Sequence, residues 1–296
     1  MQRRGLGASG IRVSAIGLGC WGMSGSYGPA DEAESVATLH HALDLGVNWI
    51  DTAAIYGLGH SEEMVAAALA AIPRNERPYV FTKCGLIPDL ADRKALPKRV
   101  GERASIRREL EGSLRRLKVE RIDLYQMHWP AEDGTPLEDY WQTLLDLKKE
   151  GMVRAVGLSN HNAKQLEAAE KLGHVDTLQP PFSAIRRGAA VAEIPWCGAH
   201  RTGVIVYSPM QSGLLTGSFS LERAAALPAN DWRSRDPEFK GAALQRNLRV
   251  AEVMRDIAER RRTTTGAVAV AWTLAVSDRL AIGSNSSAPK LKLIEL

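Results

Sequence analysis

Residues 31–53 read DEAESVATLHHALDLGVNWIDTA, and the change of period inside this stretch decides the fold. Asp31 followed three residues later by Glu34 opens a helix. Val36, Leu39 and Leu43 recur at helical spacing, and Gly46 stops it. Trp49 to Ala53 then forms a short apolar run of strand length. The same handover from helix to strand repeats along the whole chain. Strands are expected at Ala15 to Gly19, Trp49 to Ala53, Tyr79 to Cys84, Ile122 to His128, Val153 to Ser159, Thr177 to Gln179, Val204 to Tyr207 and Leu280 to Gly283. Further helices are expected at Glu62 to Ala71, Ser105 to Leu117, Leu137 to Lys149, Ala163 to Leu172, Leu244 to Arg262 and Ala267 to Val276. Eight strands with intervening helices over 296 residues match an α/β protein of the (β/α)8 TIM barrel type, with residues 1–296 as one domain. Gln2 to Val13, with Gly7 to Gly10 between two short extended pieces, reads as an N-terminal β-hairpin preceding the barrel.

Composition narrows the function. Lys+Arg 38 against Asp+Glu 34 gives a net charge of +4, with basic and acidic residues interleaved as on solvated helix faces, so nucleic acid is not an expected partner. The apolar run at Ala267 to Val276 is far short of the roughly 20 residues a membrane span requires. Cys20, Cys84 and Cys197 form no C-x-x-C pair or disulfide framework, and no secretory signal opens the chain; both point to the cytoplasm. None of the seven histidines forms an H-x-H or H-E-x-x-H pair, which argues against a metal-dependent hydrolase and leaves no expected metal site.

The pattern G-x-G-x-x-G occurs at Gly5/Gly7/Gly10 and at Gly17/Gly19/Gly22, but neither match has the context of a Rossmann site. The first lacks a preceding strand. The second leads into Ser24, Gly25, Gly28 and Pro29 where a pyrophosphate-binding helix would have to begin. Turn chemistry accounts for both.

In a parallel barrel the side chains at the C-terminal strand ends converge on one mouth. Asp51 closes the second strand with Tyr56 five residues beyond, Lys83 closes the third and His128 the fourth. Singly, each has a bland reading: a turn cap, a packing phenol, a snorkelling amine, a satisfied core imidazole. Together they form a proton-transfer set.

With these residues in place the chain resembles the aldo-keto reductase superfamily, from about Arg4 to Gly283. Within it, the sequence is most similar to the bacterial general-stress and inositol-cluster reductases, through Ile-Asp-Leu-Tyr-Gln-Met-His-Trp-Pro at 122–130, Leu-Gln-Pro-Pro-Phe at 178–182 and Arg-Asp-Pro-Glu-Phe at 235–239. The resemblance implies NADPH-dependent reduction of an aldehyde or ketone to an alcohol, reversibly, with NADH as an open alternative. Tyr56 would be the general acid. A phenol has a pKa of about 10, and a lysine cation about 4 Å away at an effective dielectric near 20 supplies roughly 4 kcal/mol, or about three pKa units before desolvation takes some back. Asp51 would hold Lys83, and His128 would orient the carbonyl.

For the cofactor, the resemblance assigns Ser159, Asn160 and Gln179 to the nicotinamide carboxamide and Tyr207 to stacking on the ring. The loop Ser208, Pro209, Met210, Gln211, Ser212 and Gly213 would cover the pyrophosphate. Cys20 and Trp21 match residues near nicotinamide and substrate, Trp129 adjoins the substrate side, and Gly283 ends the last strand beside the cofactor. Arg233 faces either the adenosine phosphate or a salt bridge to Asp231 or Asp236.

The resemblance breaks after Gly283, where Ser284-Asn285-Ser286-Ser287 replaces the expected small residue and cation. The C-terminal end, 284–296, is read as shortened and atypical, with Lys290 or Lys292 as a weak substitute for the cation. The alternative function is a regulatory or catalytically impaired cofactor-binding protein, as in potassium-channel beta subunits. Oligomeric state and substrate identity have no sequence signal.

Overall fold

Arg3–Gly5 (β1) and Arg12–Ser14 (β2) pair antiparallel, and the barrel follows directly at Ile16–Gly19 (β3). The computed structural model describes residues 1–24, 31–92, 95–228, 231–276 and 280–285. After β3 come α1 (Glu32–Asp44), β4 (Trp49–Asp51), α2 (His60–Ala70), β5 (Tyr79–Cys84), and a two-stranded ribbon of β6 (Leu86–Ile87) and β7 (Lys98–Arg99). Next are α3 (Arg103–Leu117), β8 (Ile122–Met127), α4 (Leu137–Lys149), β9 (Val153–Ser159), α5 (Ala163–Glu170) and β10 (Thr177–Gln179). The remainder is α6 (Glu193–His200), β11 (Gly203–Tyr207), α7 (Leu221–Ala225), α8 (Gly241–Arg261), α9 (Thr265–Ala275) and β12 (Leu280–Asn285).

Eight of these strands close into a barrel in the order β3, β4, β5, β8, β9, β10, β11, β12, and every neighbouring pair is parallel. The expected hairpin is present and seals one end: Leu6, Ile11 and Val13 pack with Trp49, Phe81, Leu124, Ala155, Ile205 and Ala281 inside the barrel. Residues of opposite parity, such as Ile50, Val80, Val156, Leu178 and Val204, face outward into the larger core beneath the helices.

Local chemistry explains the element boundaries. The Asp31 side chain accepts from the Glu34 backbone N–H at 2.8 Å, so α1 begins where the acidic pair predicts. Gly46, at φ +89°, adopts the left-handed backbone that turns the chain into β4. On β3 the absence of a side chain at Gly17 is a packing requirement, because a Cβ there would lie 2.0 Å from the Trp49 ring. Short α6 and α7 and the β6–β7 ribbon are additions to the expected elements. Pro195 in the first turn of α6 hides that helix, although a proline there forfeits no intrahelical hydrogen bond. β12 runs two residues past the expected Gly283, and the C-terminal segment 286–296 lies outside the described residues.

Candidate active site

The mouth opposite the hairpin holds the polar strand ends. Lys83, fully buried, donates from Nζ to Asp51 Oδ2 at 2.6 Å and to the Thr52 carbonyl at 2.9 Å. Gln179 Nε2 donates to the other Asp51 oxygen at 3.1 Å, so both carboxylate oxygens are engaged. Burial alone would depress the Lys83 ammonium, but Asp51 and then Tyr56 more than offset it and its pKa stands above the usual lysine value. The lysine is therefore a fixed cation.

Its Nζ lies 5.3 Å from the centroid of the Tyr56 ring. Tyr56 sits on a short 3-10 turn directly ahead of α2, where Gly57, Leu58 and Gly59 all take positive φ. The expected downward shift of the phenol is overturned in the free protein: desolvation outweighs the attraction of Lys83, and the pKa is raised. His128 meets Tyr56 edge-on at 5.7 Å between ring centroids. Burial, and then the Lys83 charge, pushes the imidazole well below the ordinary histidine range, so it is neutral. Its Nδ1 is buried with no partner among the described residues. A buried N–H without an acceptor costs more than a bare lone pair in the same place, which favours the proton on Nε2.

On the other side of the mouth, Ser159 Oγ donates to the Gln179 carbonyl at 2.9 Å, and Asn160 takes a left-handed backbone at φ +62°. The Asn160 amide donates to the His128 carbonyl at 3.0 Å and to Ser159 Oγ at 3.1 Å, and its Oδ1 accepts from the Tyr207 hydroxyl at 2.8 Å. Desolvation keeps that hydroxyl protonated, its pKa pushed up to about 12. Beyond Tyr207, positive φ at Ser208, Gln211, Ser212 and Gly213 curls the loop, which is closed by bonds from the Gln211 N–H to the Ser208 carbonyl at 2.9 Å and from the Gly213 N–H to the Met210 carbonyl at 3.2 Å.

These groups line one cavity of about 510 Å³. Of the sequence-selected residues it includes Asp51, Tyr56, His128, Ser159, Asn160 and Gln179, and equally Trp21, Trp129, Tyr207, Ser208, Gln211, Ser212 and Gly283. The others stand behind it. Lys83 is sealed beneath; Cys20 is buried, with its thiol pKa raised mainly by desolvation and its N–H donating to the Asp51 carbonyl at 2.8 Å. Pro209 is buried, Met210 packs into the hydrophobic cores, and Gly213 shapes the loop without lining the space. For Arg233 the structure has the salt-bridge alternative: Nη2 meets Asp231 Oδ2 at 2.6 Å, while Nη1 donates to the Ser212 carbonyl at 3.2 Å. It thus braces the loop from outside the cavity. Residues not selected from sequence include Ile55 and Pro97 from early loops, Leu86 from β6, and Arg186, Trp232 and Phe239 from later segments. Phe239, like Asp236 beside the same cavity, belongs to the Arg-Asp-Pro-Glu-Phe motif at 235–239. Trp21 and Trp232, with centroids 6.4 Å apart, form an aromatic corner, and the Arg99 guanidinium covers Trp129 at 4.5 Å.

A parallel barrel whose mouth sets a buried lysine beside a phenol is equipped to move a proton, and comparison with known proteins gives that chemistry its class: a nicotinamide-dependent oxidoreductase acting on carbonyl groups. The chain belongs to the aldo/keto reductase family, whose pattern matches residues 15–291. It is 32% identical to the aldo-keto reductase YhdN of Bacillus subtilis, over 88% of this chain and 77% of that protein. It is 33% identical to the NADH-specific methylglyoxal reductase of Escherichia coli, over 98% of this chain and 91% of the relative. Among solved structures, the glycerol dehydrogenase AKR11B4 from Gluconobacter oxydans superposes with a TM-score of 0.88 at 35% identity, covering 97% of this chain and 86% of that one. Among the described residues no helix is long and apolar enough to cross a membrane.

Proposed function

We propose that the protein reduces a small aldehyde or ketone to its alcohol, with NADPH as coenzyme and Tyr56 as general acid. The observation that carries this reading is the buried Lys83–Asp51 pair set against the Tyr56 ring. A bound reduced nicotinamide would supply hydride to the carbonyl carbon. The phenol then gives its proton to the carbonyl oxygen, which as an alkoxide would be far more basic than any phenol. A raised phenol pKa suits this direction, because Tyr56 stays protonated through neutral pH, while the nearby ammonium stabilises the phenolate left behind. Neutral His128, with its proton on Nε2, donates to the same oxygen and aims it at Tyr56.

The residues present fit a nicotinamide nucleotide. Ser159, Asn160 and Gln179 offer hydroxyl and amide groups at one side of the cavity, matched to a carboxamide, and Tyr207 offers a ring face beside them. The curled loop from Ser208 to Gly213, with Ser208, Gln211 and Ser212 lining the cavity, would lie against the pyrophosphate. Asn160 Oδ1 accepts from the Tyr207 hydroxyl, and a bound carboxamide would compete with Tyr207 for that oxygen. With Arg233 tied to Asp231 and no cation directly after Gly283, discrimination for the 2′-phosphate is weak, and NADH is accepted as well. Three free, buried cysteines support a reducing cytoplasmic setting.

The test is fluorescence titration of NADPH and NADH, followed by their oxidation in the presence of an aldehyde panel. Binding of both nucleotides with NADPH preferred by less than about 100-fold, and turnover with either, is the expected result. An Arg–phosphate bond contributes roughly 1.5–3 kcal/mol, equal to about 10- to 150-fold, so a thousandfold preference for NADPH would contradict the reading of the chain end.

A further inference from the structure

The turn assigned to the nicotinamide carboxamide is held from behind by a pair of residues with no place in the reaction. Asn160 takes a left-handed backbone at φ +62°, a conformation asparagine tolerates better than most non-glycine residues. Directly after it, His161 is buried between the end of β9 and the Asn162 cap of α5. Its Nδ1 lies 2.8 Å from the Ser159 carbonyl, and its Nε2 lies 2.8 Å from the hydroxyl of Tyr140 on α4. The carbonyl can only accept, so Nδ1 carries the ring proton; Nε2 then accepts, and Tyr140 donates. This assignment uses every polar atom of the pair and fixes the imidazole in one tautomer. Burial agrees with it, holding His161 neutral with its pKa pushed down to about 4.

We propose that Tyr140 and His161 are positioning residues that hold the Ser159–Asn160 turn in the shape that grips the nicotinamide end of the cofactor. The inference rests on the reading of that turn under the proposed function. It assigns the pair to placement more than to stability. Both partners of a buried neutral hydrogen bond can be replaced by apolar groups of the same shape at little net cost, whereas leaving one partner unsatisfied is expensive. A phenylalanine at each position keeps the volume and removes every polar atom of the two side chains, leaving only the Ser159 carbonyl without its donor.

The experiment uses the full chain with His161→Phe, Tyr140→Phe and the double substitution. Dissociation constants are measured for NADPH and for 2′-phospho-ADP-ribose, which shares everything with NADPH except the nicotinamide. The expected result for the double variant is a melting temperature lowered only by the loss of the one donor to the Ser159 carbonyl, NADPH weakened by about 3- to 10-fold, the size of one or two lost hydrogen bonds, and 2′-phospho-ADP-ribose changed by less than about twofold. Tyr140→Phe alone moves in the same direction by less, because His161 keeps its bond to Ser159. Equal weakening of both nucleotides, or a change in neither, overturns the proposal and leaves the pair a packing feature. Ser159→Ala separates the two levels of the argument. If it too fails to discriminate the nucleotides, the reading of the turn falls and the positioning role with it; if it discriminates and the double variant does not, only the positioning role falls.

Discussion

Trp49, Phe81, Leu124, Ile205 and Ala281 point into the barrel above its hairpin-sealed floor. One pleat further along the same strands stand Asp51, Lys83, Gln126, Tyr207 and Gly283. The lower layer is dry and apolar; the upper layer carries a buried ion pair, a buried amide and the floor of the cavity. The backbone is shared, so the two layers differ only in what two residues of strand place there. The floor supplies folding free energy through burial. The mouth holds charges whose desolvation opposes folding unless they remain paired.

The contrast is most severely tested at Lys83. Replacement by methionine should lower turnover by on the order of 10³-fold or more, through loss of the cation beside Tyr56. It also strands Asp51 in a buried site, at a cost of about 3–5 kcal/mol in stability. Adding Asp51→Asn to Lys83→Met should restore much of the melting temperature and none of the activity. If activity returned with stability, the lysine would be structural and the distinction between the layers would disappear.

At the floor the expectation is reversed. Phe81→Ala should cost about 3–5 kcal/mol in a denaturant titration, as for large aromatic truncations in tight cores. Turnover per folded molecule, measured well below the melting transition, should stay within about twofold. A loss of turnover matching that at Lys83 would mean that the floor sets the geometry of the mouth.

The raised Tyr56 pKa predicts opposite pH profiles for the two directions of reaction. Carbonyl reduction uses the protonated phenol and should be flat through neutral pH, falling only in alkali. Alcohol oxidation needs the phenolate, so its rate should climb toward alkaline pH. Profiles of kcat in both directions test this, and an oxidation optimum below neutrality would contradict it.

The smallest effect is expected at Glu109, which accepts from the Gly85 N–H at 3.0 Å just beyond Lys83. Desolvation raises its pKa to about 7. The folded state therefore keeps a proton that the unfolded chain releases near pH 4.5, and stability falls as pH rises from there to about 7. Glu109→Gln should be more stable than wild type at pH 8, with the advantage gone by pH 4. Melting temperatures at the two pH values decide it.

Much of this was legible in the residues because it depends on local period. Tyr79–Cys84, Val153–Ser159 and Thr177–Gln179 begin and end where their apolar runs do, and α4 spans the expected Leu137–Lys149. Strand ends also located Asp51, Lys83 and His128, since in a parallel barrel sequence order fixes which mouth they share. Loops carry no such period. Ile55, Pro97 and Trp232 reach the cavity by tertiary folding alone, and Arg233 pairs with its near neighbour Asp231. The phenol pKa was misjudged for a related reason: a charge pair can be anticipated from neighbouring strand ends, whereas the depth of burial that outweighs it cannot. The His161–Tyr140 bond joins positions 21 residues apart, on a strand end and a helix, and no spacing rule points to it.

The central claim is that Tyr56 delivers the proton. Single-turnover reduction of an aldehyde by enzyme saturated with NADPH, comparing wild type with Tyr56→Phe, tests it most directly. The account predicts a rate lower by at least about 10²-fold with the NADPH dissociation constant within about twofold of wild type. A Tyr56→Phe enzyme that keeps most of its single-turnover rate would contradict it.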